Sequence, residues 1–322
     1  MKGKIYAMLV ILLSCNICRA DSSEDDTLLF MFWNLENFFD FTFSGSGESD
    51  MEFTPSGERR WTSKRFYAKC DAVAKGIFHI AETYGRMPDV IGVCEVENSG
   101  VLQRLLSHTL LRKYEYGIVH HDSYDRRGID VAMIYRLNKV SVLSESVVTP
   151  LDNEGLPYTR DILHARIKTV DNVQYDVIVN HHPSKYGGEE LSEEKRKSVM
   201  TDLGELCDSL SRDSCGIIAM GDFNDSPDAR QFEIIDERLI NMAADLYRKG
   251  EGTIRYEGRW ELIDMFLASP DICGRCRMDI VRIPFLMTYD RKHPGYRPMR
   301  TYIGPRYSGG VSDHCPVVMM IL

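Results

Sequence analysis

The sequence predicts an α/β protein, and three observations carry that expectation. Short apolar runs recur along the chain, they are rich in Val, Ile and aromatic residues, and segments of helical periodicity lie between them. The runs occupy residues 28–33, 89–93, 130–135, 175–179, 216–220, 262–268 and 316–322. Their length and composition suit buried strands. After the first run, Phe66, Cys70, Val73, Ile77, Ile80 and Tyr84 fall three or four apart, which puts them on one helix face with Thr62 or Ser63 as cap. Val199, Leu203, Leu206 and Leu210 repeat that spacing after the charged stretch 189–197 and predict a second helix.

With 322 residues, 43% of them hydrophobic, the chain can bury a sizeable core, and no repeat or Pro/Gly/Ser-rich linker divides it. One domain is therefore expected over residues 28–322, after a short polar leader at 21–27. Residues 1–20 read as a secretory signal: Lys2 and Lys4 precede the apolar run 5–13, and Ala20 offers a small residue for cleavage. That run is too short for a permanent membrane span. A secreted or periplasmic monomer is the expectation. The alternative is a lipid anchor through Cys15, because Leu12-Leu13-Ser14-Cys15 suits lipoprotein-type processing.

A net charge of -9 argues against duplex nucleic acid binding over the whole surface, so any polyanion has to be met locally. Residues 282–306 offer such a place: Arg282, Arg291, Lys292, Arg297, Arg300 and Arg306 stand against the single acid Asp290. Nine cysteines do not make a disulfide framework at this length, and Cys273-Gly-Arg-Cys276 lacks the second ligand pair of a zinc site. A local disulfide or two thiols is expected there.

The apolar runs share a polar group at or just past their ends, where side chains from separate strands can meet at one end of a sheet. The first run ends in Asn34-Leu-Glu36-Asn37, and alternation along an extended segment would send Asn34 and Glu36 the same way. The second ends in Cys94-Glu95, a carboxylate that is costly at a strand mouth unless paired or bound to metal. Oxygen donors of this type suit Mg²⁺, Mn²⁺ or Ca²⁺ better than zinc. The fourth ends in the tandem His181-His182, and the fifth in Gly221-Asp222-Phe223-Asn224, where an Asp and an Asn could position a water and hold an oxyanion. Ser312-Asp313-His314 precedes the last run, and Asp264 sits inside an apolar stretch, placed to orient a histidine.

Taken with Arg127-Gly-Ile-Asp130, these motifs make the chain resemble the endonuclease/exonuclease/phosphatase superfamily, in particular its secreted bacterial branch, from about residue 28 to 322. The resemblance implies a four-layer α/β sandwich, with two β-sheets face to face, helices outside and the site at one edge. It implies Glu95 as the principal Mg²⁺ ligand, with Asn34, Glu36 and Asp313 helping to hold the metal or its waters. Asp222 would orient or deprotonate the attacking water, and Asn224 would bind a phosphate oxygen. His314, oriented by Asp264, would contact the scissile phosphate, and His181 would stabilise the transition state or assist the leaving group. Asp130 and Arg160, with Arg297 and Arg300, complete the expected substrate-contacting set. Many relatives carry Gln where this chain has Cys94, which puts in doubt any contact that amide would make.

The reaction implied is divalent-metal-dependent hydrolysis of phosphate esters, which suits residues able to position charge and an in-line water. The leading expectation is a phosphodiesterase or endonuclease acting on nucleic acid outside the cytoplasm. A phosphatase or phospholipase-C-like hydrolase on a sugar phosphate or phospholipid head group is the alternative, and a binding protein that keeps the fold without the chemistry is the third. The Pro-Ala-Trp-Cys-Asp-Arg signature of inositol-polyphosphate phosphatases is absent.

Overall fold

A computed structural model describes residues 27–42, 45, 47–185, 189–210 and 216–322. The expected signal segment, Cys15 and the leader up to residue 26 lie outside the described residues. Eighteen strands are present among the described residues: β1 (Leu28–Phe38), β2 (Val90–Val96), β3 (Tyr116–His120), β4 (Asp130–Arg136), β5 (Val140–Val148), β6 (Ile162–Thr169), β7 (Gln174–His181), β8 (Ile217–Asp222) and β9 (Ile240–Asn241) come first. Then follow β10 (Ile254–Tyr256), β11 (Arg259–Glu261), β12 (Asp264–Ala268), β13 (Cys276–Ile280), β14 (Met287–Asp290), β15 (Gly295–Pro298), β16 (Tyr302–Ile303), β17 (Arg306–Tyr307) and β18 (Val317–Ile321).

Twelve of them form two mixed six-stranded sheets, ordered β13-β18-β1-β2-β4-β3 and β5-β6-β7-β8-β12-β9. The β1–β2 and β7–β8 pairs are parallel, which places the ends of these four central strands along the edge where the site forms. Alternation explains the layers. Phe30 and Phe32 of β1 join the core that holds the second sheet, while Leu29, Met31 and Trp33 join the core beneath the helices α1 (Ser63–Tyr84) and α2 (Ser99–His108). Val199, Met200 and Leu203 of the helix α3 (Glu189–Leu210) cover the second sheet. The four-layer sandwich is thus present. The sheets approach closely at Gly92, where an added Cβ would come within 2.8 Å of Met220 Sδ.

Local expectations are decided or revised. Thr62 rather than Ser63 caps α1, its side chain accepting from the Arg65 amide. The charged stretch before Val199 is the first part of α3 itself, because Arg196, buried on that helix, is paired with Asp225 at 2.8 Å. Asp89 precedes β2 and stays buried between Arg86 and Arg136. Cys273 and Cys276 are free thiols. Among the described residues no helix is long and apolar enough to cross a membrane.

Candidate active site

Asn34 follows Phe30 and Phe32 on the inter-sheet face of β1, so its side chain reaches the second sheet and donates to Asp222 Oδ2 at 3.0 Å. The expected alternation ends there. Glu36 and Asn37 have φ of 44° and 51°, and the β1–β2 register shifts between Asn34 and Phe38. Across from them Glu95 also has positive φ, 59°, at a register shift between Cys94 and Val96. Asn224, at φ 51°, is the fourth such residue here. Among the described residues only seven non-glycine positions have positive φ, so strain gathers at this edge, as it does at functional sites.

Each kink is held by a hydrogen bond. The Asn37 amide donates to Glu95 Oε2 at 2.8 Å, and the Thr301 amide to Glu36 Oε2 at 2.7 Å. Lys69, buried on α1, donates to the Glu36 carbonyl at 2.6 Å and to Thr301 Oγ1 at 2.9 Å. Sequence reasoning missed Lys69. The signal was a lysine beside Cys70 and three residues after Phe66, in the apolar stripe of a helix. Arg127, quoted earlier only within a motif, faces Glu95 Oε1 at 3.4 Å.

Two histidines behave oppositely. His314 Nδ1 lies 2.8 Å from Asp264 Oδ2, and its Nε2 is 3.9 Å from Asp222 and 3.8 Å from Asp313. Burial alone would lower its pKa, but Asp264, Asp313 and Asp222 overcome that and hold it well above the ordinary histidine value, as the imidazolium. His181, by contrast, is pushed well below by burial and then by Arg160, whose Nη2 sits 3.0 Å from His181 Nε2. His181 is therefore a neutral ring that accepts from Arg160, and its buried Nδ1 has no hydrogen-bond partner.

Asp222 and Asp264 face each other in the β8–β12 register. Burial and then Asp264 push Asp222 up to about 7, while Asn34 and the Asn224 amide, 2.9 Å from Asp222 Oδ1, orient its carboxylate. Burial would likewise raise Glu95, yet Arg127, the Asn37 amide and Arg160 outweigh it and keep Glu95 below its ordinary range.

The remaining predicted residues divide. Arg300 belongs to the centre, bonded to Asp313 and 3.9 Å from Glu36. Arg160 links His181 to Asp125, 3.4 Å away. Asn224 donates its side-chain amide to the His182 carbonyl at 2.9 Å. Asp130 spends its oxygens on Ser123 and His120. Arg297 sits apart from the carboxylates of the centre, 3.6 Å from Asp290. The basic stretch does not act as one surface: Arg282 turns to Glu251 and over the Trp260 ring at 4.4 Å.

Does this donor set suit a hard divalent cation? Glu36 is pushed up to about 8 by burial and then by Asp313, a crowding of half-buried acids that a cation would relieve. Among the described residues the tight ligand-type groups, with atoms within 4.8 Å, are Cys94–His181–Asp222, His120–Asp122–Asp130 and Asp222–Asp264–His314. Glu36, Glu95 and Asp313 form no such tight group, and each faces a guanidinium. Wider-set oxygen donors fit a cation that keeps several of its waters.

A centre that can polarise an anion and activate a water, set on the edge of a two-sheet sandwich, is that of a hydrolase acting on anionic esters. The chain belongs to the endonuclease/exonuclease/phosphatase family, whose sequence model matches residues 29–322. Members of that family are phosphoesterase hydrolases and generally use a divalent metal. Solved structures agree in fold. A Bacteroides thetaiotaomicron protein of the same family has a TM-score of 0.57 at 15% identity, covering 92% of this chain and 97% of that one. D. rerio TDP2 complexed with a single-strand DNA product has a TM-score of 0.54 at 13% identity, covering 92% and 100%. A mannosyl-6-phosphatase from Bacteroides thetaiotaomicron has a TM-score of 0.52 at 14% identity, again covering 92% and 100%. No curated protein sequence matches the chain.

Proposed function

We propose that this protein is a divalent-metal-dependent phosphodiesterase that cleaves nucleic acid outside the cytoplasm. The observation that carries the reading is the convergence at one edge of His314 held by Asp264, Asp222 held by Asn34 and the Asn224 amide, and Glu95 held by Arg127 and the Asn37 amide. Asp222, fixed by Asn34 and the Asn224 amide, takes the proton of the attacking water. His314, held by Asp264, donates to a phosphoryl oxygen, and Arg127, Arg160 and Arg300 supply positive charge around it. A cation, taken as Mg²⁺ with Mn²⁺ as a substitute, would be held by Glu95 and Glu36 with Asn34 and Asp313 beside them. When bound it neutralises charge on the phosphate and makes the water more acidic.

A diester is favoured over a monoester because the site continues past the phosphate. A cleft of about 410 Å³, lined by Glu36, Arg59, Arg127, Arg300 and Tyr302, lies beside the centre, and a second of about 360 Å³ shares Arg300 and Gly304 with it. Both are of ligand-binding size. The signal-like residues 1–20 support an extracytoplasmic site of action.

The test is a substrate panel with the purified protein: single-stranded DNA, RNA and plasmid against p-nitrophenyl phosphate, sugar phosphates and phospholipid head-group esters. Cleavage of a polynucleotide well above the monoesters is expected. Turnover of monoesters alone would replace the proposal with a phosphatase.

A further inference from the structure

We infer that the groove between the β10–β11 and β14–β15 hairpins is a second substrate subsite, holding a neighbouring nucleotide of a single-stranded polynucleotide. This rests on the phosphodiesterase reading and assigns the part of the substrate that does not react. The groove is about 360 Å³ and is bordered by Tyr256, Lys292, Arg297, Arg300, Ile303 and Asp313.

It is preformed. Arg255 of β10 donates through Nη1 to the His293 carbonyl and through Nη2 to the Pro294 carbonyl, each at 2.9 Å, and so staples one hairpin to the turn of the other. Gly295 permits the closeness: its φ is 139°, and a Cβ there would lie 2.7 Å from Arg255 Nη2. The pair of hairpins is tied to the reacting centre. Ile254 bridges His314, the Cys315 amide donates to the Thr253 carbonyl at 2.8 Å, and Thr253 Oγ1 accepts from the Asp264 amide at 3.3 Å. Asp313 itself lines the groove, so whatever lies there lies next to the residue that precedes His314.

Its chemistry is that of a nucleotide. Tyr256 is 63% exposed and offers an unstacked ring, and Ile303, 38% exposed, adds an apolar face. Lys292 is exposed, and Arg297 Nε is buried without a hydrogen-bond partner although Asp290 is 3.6 Å away. An aromatic face beside two cations matches one base and one phosphate, and only an unpaired base can present its face to a side chain. Asp290 and Glu257 also line the groove and Asp290 faces Arg297, so Lys292 is the cation left for a second phosphate, which a phosphorylated sugar, its single phosphate held at the reacting centre, does not bring.

The test compares steady-state turnover of a short single-stranded oligonucleotide and of bis(p-nitrophenyl) phosphate, a diester that carries no neighbouring nucleotide. It uses the wild type, Tyr256→Ala and Lys292→Glu. The KM for the oligonucleotide is expected to rise about tenfold in each variant, from lost stacking or charge, with kcat and the small diester unchanged. Equal losses on both substrates would mark the groove as mere support for His314, and no loss on either would mark it as unused; both results overturn the subsite. If the folded wild type cleaves neither diester while turning over monoesters, it is the phosphodiesterase reading that fails, and the subsite falls with it.

Discussion

Asn34 in the first sheet donates its side-chain amide to Asp222 in the second at 3.0 Å, so one hydrogen bond joins the two sheets at the point where the water-activating carboxylate stands. That bond lowers the Asp222 pKa against burial and Asp264, which together raise it to about 7. Asn34→Ala is predicted to lift it further. In a pH–rate profile the acidic limb should move to higher pH, and kcat at neutral pH should fall roughly 10²-fold, within the range of general-base contributions.

Asp264 fixes both the orientation and the charge of His314. The shift is upward, so the imidazolium persists through neutrality and is lost as pH rises through the elevated value. In Asp264→Asn the basic limb should move to lower pH and kcat should fall by about two to four orders of magnitude, as loss of an orienting Asp does elsewhere. An unchanged basic limb would show that His314 does not act as a cation.

Lys69 supports the Glu36 kink from behind, beneath the Phe38 and Trp61 rings. Lys69→Met keeps the bulk and removes the donor. Mn²⁺ affinity measured by calorimetry should weaken about 10- to 100-fold, the usual effect of losing a group that orients a metal ligand. A matching far-UV spectrum would separate this from unfolding.

His182 is a structural histidine behind the site. Its ring packs on Phe223 at 4.9 Å, neither nitrogen has a hydrogen-bond partner, and burial, followed by Arg196, lowers its pKa to about 3. The unfolded chain binds a proton near pH 6.5, the folded chain only near 3, so stability present above 6.5 is lost as pH falls between them. At pH 4.5 the loss is about 3 kcal/mol. Urea titrations at pH 7.5 and 4.5 should show it in the wild type and show that share missing in His182→Phe.

Much of the fold was legible because buried strands have to be apolar and short, and seven such runs were visible. The strands β5 and β6 were not, since exposed Ser and Glu in one, and His164, Arg166 and Lys168 in the other, interrupt the apolar pattern. The polar residues survive there by pairing, as Arg166 and His164 do with buried Asp176. The helix α2 escaped notice because ten residues show too few repeats of its Val101, Leu102 and Leu105 stripe. At the site, residue types at strand ends were readable, but their partners were not. Alternation correctly carried Asn34 inward and failed at Glu36, where positive φ, invisible in a sequence without glycine, redirects the chain. The ion pairs of Arg127 with Glu95 and Arg300 with Asp313 join residues distant in sequence.

The central claim is that Glu95 and its neighbours hold a divalent cation needed to hydrolyse a phosphodiester. The direct measurement is cleavage of single-stranded DNA by the purified chain in Mg²⁺, in Mn²⁺ and in excess chelator, for wild type and Glu95→Ala. Cleavage by the wild type with either metal is predicted, with loss of at least about 10³-fold in chelator and in Glu95→Ala, the scale of removing a charge-stabilising element. Equal cleavage by the folded wild type in chelator, or full activity in Glu95→Ala, would contradict it.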